Sequence, residues 1–72
     1  MRHVILYTDE DGVWIAKVPS LPGCGSDGAT KAEALERVKE AIAVWIEAAQ
    51  AYNEPIPPDE YPNLEVTLVD VA

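Results

Sequence analysis

Few side chains in this 72-residue chain are of a type that performs chemistry by itself. The one cysteine, Cys24, lies in Trp14-Ile15-Ala16-Lys17-Val18-Pro19-Ser20-Leu21-Pro22-Gly23-Cys24-Gly25. A nucleophilic thiol needs a base or a positive environment to become thiolate. The one histidine, His3, is not placed beside Cys24 by anything in the sequence, and a second cysteine for a redox pair is missing. Cys24 is therefore expected as a small, half-buried residue, and His3 as a packed or solvated strand residue. A zinc site needs about four Cys, His or carboxylate ligands at fixed spacing, and none is visible. Asp9-Glu10-Asp11 lacks the long loop with a distant Glu that calcium requires, so a solvated hairpin tip is expected. No phosphate-cradling glycine loop is present. No cofactor and no metal are expected.

Charge narrows the partners. Thirteen acidic residues against five basic ones give a formal net charge of −8. Nucleic-acid binding needs phosphates neutralised by Lys and Arg, so direct binding is not expected. A negative field attracts a basic protein and speeds the encounter. Hydrophobic content of 49% is too high for a disordered acidic tail. No apolar run is long enough to span a membrane, and the N-terminus lacks a secretory signal, so the chain is expected in the cytoplasm. A single cysteine agrees with a reducing compartment.

The elements that must position these residues follow from periodicity. Val4 to Thr8 predicts a strand, apolar enough to be covered on both faces. Asp11-Gly12 between apolar runs signals a hairpin. Val13 to Val18 predicts the second strand, with Trp14, Ala16 and Val18 on one face. Pro19 ends that strand, having no N–H to donate. Pro22-Gly23 marks a turn. Cys24 to Ala29 predicts a short edge strand weakened by Gly25 and Gly28. Thr30 and Glu33 predict a capping box opening a helix. Leu35, Val38, Ile42, Trp45, Ile46 and Ala49 form its apolar stripe. Glu33, Glu36, Glu40 and Glu47 lie opposite, interrupted by Ala43 and Val44. The helix should stop near Tyr52, before Asn53 and Pro55. After a stiff proline-rich connector, Leu64 to Val71 predicts a fourth strand. The reading is an α+β fold, β-β-β-α-β, in one domain over residues 1–72.

Those residues resemble a known family. Asp11-Gly12-Val13-Trp14-Ile15-Ala16-Lys17-Val18-Pro19-Ser20-Leu21-Pro22-Gly23-Cys24 is similar to the N-terminal signature of HicB-type antitoxins. Ser26-Asp27-Gly28-Ala29-Thr30-Lys31-Ala32-Glu33-Ala34 is similar to the family's following S-x-G-x-T-x-x-E-A stretch. The resemblance runs over roughly residues 4 to 70, and the combined pattern is more specific than its parts. It implies a partial ribonuclease-H-like fold: sheet order 3-2-1-4 with one helix packed on one face. It also implies binding and neutralisation of HicA, a small basic toxin that cleaves messenger RNA. The motif positions Gly12, Trp14, Pro19, Pro22, Gly23, Cys24, Gly28, Thr30 and Glu33 are expected to be structural. Toxin contacts are expected at Asp9, Glu10, Asp11, Glu36, Glu40 and Glu47. A homo-oligomer, dimer or tetramer, is expected through sheet edges and the Ala43–Val44 patch, because so small a core is marginal. Many HicB proteins carry a further DNA-binding domain; here the chain ends just after the fourth strand, and DNA binding is not carried over.

Two rivals stand beside this reading. A ribonuclease-H-type nuclease needs clustered carboxylates around two metals, one of them mid-way along the first strand. Val4, Ile5 and Leu6 stand there, and Asp70 has no obvious partner, so no enzyme is expected. The other rival is a solitary, non-catalytic oligomer that binds another protein or a small ligand.

Overall fold

The computed structural model describes residues 2–60. Three short strands and one long helix make up an α+β arrangement: β1 (Ile5–Thr8), β2 (Trp14–Lys17), β3 (Gly25–Gly28) and α1 (Lys31–Ala51). The sheet is antiparallel in the order β1-β2-β3. Each strand is slightly shorter than the apolar runs suggest. The predicted fourth strand, Leu64 to Val71, lies outside the described residues.

The hairpin joining β1 to β2 is closed by Asp9. Its backbone N–H donates to the Val13 carbonyl at 3.0 Å, and its carbonyl accepts from the Gly12 N–H at 3.1 Å. Gly12 has φ +79, the left-handed conformation that a three-residue hairpin loop requires.

Register sorts the side chains into two faces. Leu6 stands opposite Ala16, and Ala16 opposite Ser26; this face meets α1. Ile5, Tyr7, Ile15, Lys17 and Asp27 share the other face. Ile5 and Tyr7 are exposed there, so β1 is not covered on both faces among the described residues, contrary to its apolar pattern. One helix shields only one side of a sheet.

Helix α1 has defined ends. The Thr30 hydroxyl accepts from the Glu33 N–H at 3.1 Å. The expected capping box is only half formed, because Glu33 Oε1 instead pairs with Arg37 Nη2 at 2.6 Å. At the other end Glu54 N–H donates to Ala49 O at 2.8 Å and Asn53 N–H to Gln50 O at 3.2 Å. With Asn53 at φ 53, this is a Schellman stop.

The core lies between helix and sheet. Ala16, Val18, Leu21, Cys24, Ala34 and Val38 are buried together, with Leu6, Trp14, Ile42 and Trp45 packed against them. Gly28 allows the close contact of β3 with the helix start. A Cβ there would come within 2.6 Å of the Ala34 nitrogen.

Candidate functional site

The loop from Pro19 to Cys24 is built as part of the core. Leu21 N–H donates to Val18 O and Cys24 N–H to Leu21 O, folding the loop over on itself. That fold drives Leu21, fully buried, under the helix. Trp45 of α1 clamps the loop from above, its indole N–H donating to the Pro22 carbonyl at 3.0 Å. Gly23 takes φ +76 so the chain can return to β3. Cys24 is buried rather than half-buried, and burial raises its thiol pKa. A protonated, enclosed thiol is a poor nucleophile.

The acidic residues fall in two separate places. Asp9, Glu10 and Asp11 are exposed at the hairpin tip. Asp9 also holds the turn together, because its Oδ1 accepts from the Asp11 and Val13 N–H groups, both at 2.9 Å. Glu36, Glu40 and Glu47 are exposed along α1, and Glu36 pairs with Lys39 at 3.1 Å. Glu47 lies sixteen positions beyond Lys31 at the helix start, about 24 Å along the axis at 1.5 Å per residue. Ala43 and Val44 are exposed on the same side, Val44 to 65%.

One cluster escaped the sequence reading. His3 donates its backbone N–H to Asp59 Oδ2 at 2.9 Å, and its Nδ1 lies 2.6 Å from the same oxygen. Arg2 Nη1 donates to the buried Ser20 Oγ at 3.1 Å and to the Pro57 carbonyl. Burial pushes the Asp59 carboxyl up, but hydrogen bonds from the His3 backbone and ring, with a smaller contribution from Ser20, outweigh it. The net shift is downward. The arrangement ties the start of the chain and the segment after α1 to the Pro19–Cys24 loop. Its members are too far apart in sequence for spacing to have paired them. Among the described residues, no group of three or more His, Cys, Asp or Glu side chains is placed to hold a metal ion. None of their helices is long and apolar enough to cross a membrane.

The described residues form a three-stranded antiparallel meander followed by a capped helix, an α+β arrangement in which the motif residues are spent on turns and core. Residues 3–70 match the model of the HicB-like antitoxin of bacterial toxin–antitoxin systems, and the chain belongs to that family. A UPF0150 protein of Thermoplasma acidophilum is 48% identical over 67 residues, covering 92% of this chain and 97% of that protein. A UPF0150 protein of Synechocystis is 29% identical over 69 residues, covering 96% of this chain and 94% of that one. An uncharacterized 14.9 kDa protein of Haemophilus phage HP1 is 37% identical over 81 residues, covering 99% of this chain and 61% of its own length. No solved structure is a significant match. Membership of an antitoxin family suggests a non-catalytic protein and implies a toxin partner of some kind.

Proposed function

We propose that this chain is a cytoplasmic, non-enzymatic antitoxin domain that neutralises a basic, HicA-type, mRNA-cleaving toxin by protein–protein contact. The family match over residues 3–70 carries the reading. The formal charge of −8 supports it, because an acidic field steers a basic partner inward and repels RNA. In this reading one domain spans residues 1–72. The toxin meets Glu10 and Asp11 at the hairpin tip and Glu36, Glu40 and Glu47 on the helix. Asp9 is shared between steering and holding the turn.

Binding kinetics against a HicA-type protein at low and high salt test the proposal. Glu10→Gln, Asp11→Asn and Glu47→Gln together slow association more than they speed dissociation, and the difference shrinks as salt rises. Absence of any binding overturns the antitoxin reading and leaves the solitary oligomer, which the exposed Val44 favours. Binding with a salt-independent association rate defeats the electrostatic mechanism alone.

A further inference from the structure

The segment that follows α1 is held by side chains alone. Residues 55–60 form neither helix nor strand. Pro55, Pro57 and Pro58 have no N–H to donate, and among the described residues 55–60 make no backbone–backbone hydrogen bond. Their directed contacts run to the start of the chain: the Pro57 carbonyl accepts from Arg2 Nη1, and the Asp59 carboxylate accepts from the His3 backbone and ring. Upstream, the segment leaves the helix through Asn53, which has φ 53, and the last N–H bonded back to the helix is that of Glu54. The partners are better anchored. Arg2 and His3 lead directly into β1, which is paired along its length with β2. If these contacts break, the segment after the helix is the part free to move.

The contact at Asp59 is balanced, not saturated. Its side chain is only 10% exposed. Both His3 bonds end on Oδ2, whereas Oδ1 is buried and has no hydrogen-bond partner. A buried acceptor without a partner opposes the closed arrangement, and lifting the segment would return Oδ1 to water. The two bonds from His3 act against that penalty, and they are strong because they end on an ionised oxygen. Among the described residues, the groups that face this carboxyl are His3 and, from the loop, Ser20. Arg2 does not bond it, reaching Ser20 Oγ and the Pro57 carbonyl instead. One proton on Asp59 therefore weakens the side of the balance that keeps the segment down.

We propose that residues 53–60 are a strap, latched to the Pro19–Cys24 loop by Arg2 and His3, that opens about Asn53 when Asp59 takes up a proton while sheet and helix stay folded. The direction follows from linkage. The closed strap holds the Asp59 carboxyl below its ordinary range, so the open strap binds the proton more tightly and acid shifts the population toward it. Opening removes Asp59 from beside Ser20, a buried residue of the motif-bearing loop. Acidity thus changes the surface around that loop without unfolding the domain. Arg2 carries no part of the proton dependence; its bond to Pro57 sets how far the closed state is favoured. The latch does not depend on the antitoxin reading.

The test is NMR of the full chain from neutral to acid pH, with backbone order read from 15N relaxation and the Asp59 carboxyl followed by its 13C shift. The expected result is that Ile56, Asp59 and Glu60 lose order together, at the pH where the Asp59 carboxyl titrates. Over the same range Ala16 and Val38 keep their amide-exchange protection, and far-UV circular dichroism is unchanged. Asp59→Asn makes the strap as mobile at neutral pH as the parent's is in acid, and removes its response to pH. Arg2→Ala moves the opening to higher pH. A strap that stays ordered until the whole domain unfolds overturns the proposal. So does a strap already mobile at neutral pH, or a folded Asp59→Asn variant whose strap is ordered like the parent's.

Discussion

Leu21→Ala tests whether the Pro19–Cys24 loop is part of the core. Leu21 is fully buried, and the loop that carries it is closed by backbone hydrogen bonds and clamped by Trp45. Removing three carbons forfeits about 2.4 kcal/mol of transfer free energy at ~0.8 kcal/mol per carbon. The space left behind adds to that, because a loop pinned at Val18, Cys24 and Trp45 cannot simply collapse inward. The total falls at about 3 kcal/mol, within the range for buried leucines. A chain of this length has a total stability of about 4–11 kcal/mol, so the variant is severely weakened. The melting temperature falls by roughly 12–24 °C at 4–8 °C per kcal/mol. Urea unfolding followed by tryptophan fluorescence reports on it directly, since Trp45 is bonded to the loop. Leu35→Ala, at a half-buried helix position, costs clearly less in the same assay. A Leu21→Ala loss below about 1 kcal/mol with an unchanged denaturant slope would show that the loop is a surface feature and refute this account.

Thr30→Ala costs about 1 kcal/mol by removing the helix cap, whereas Glu33→Gln costs less, because Glu33 pairs with the exposed Arg37 and not with the Thr30 backbone; equal losses in thermal melts would restore the full capping box. Cys24 reacts with a disulfide reagent only as fast as the protein opens, since burial keeps the thiol protonated; a native-state rate equal to that in urea would contradict this. The Asp59 carboxyl sits below its ordinary range, so it binds protons more weakly in the folded chain than in the unfolded one. Its stabilising effect is therefore present above the ordinary carboxylate pKa and is lost as pH falls through the folded value. Asp59→Asn removes that part of the acid dependence, and an unchanged slope of urea midpoint against pH in acid would show that the His3–Asp59 contact contributes nothing.

What could be read from sequence was what depends on neighbours in the chain. The Asp11-Gly12 hairpin, the Thr30 cap and the Asn53 stop are set by local backbone geometry, and each was legible because a positive φ or an orphan N–H requires a particular residue type. The helix stripe was equally plain from its spacing, and Val38 and Ala49 are buried as that spacing requires. The exposure of Ile5 and Tyr7 was not legible, since an apolar run describes a strand's preference and not what covers it. The Arg2–Ser20 and His3–Asp59 contacts were invisible for a different reason. They join positions 18 and 56 residues apart, and no periodicity carries information across such a distance. Asp9 shows a third limit: the same carboxylate that signals a solvated tip also holds two backbone N–H groups.

The motif that carries the family resemblance therefore has to be separated from the surface that recognises a partner. Leu21 and Cys24 are buried, Gly28 is pressed against the helix start, and Trp45 is bonded to Pro22. Substitutions there act through the fold, and any loss of binding they cause will track loss of stability. Glu10, Asp11, Glu47 and Val44 are exposed. Substituting them leaves stability nearly unchanged, as surface positions away from caps and buried contacts do. Plotting binding against unfolding free energy for the two groups thus separates them. The buried set falls on one line through the parent protein, and an exposed residue that contributes to recognition falls off it.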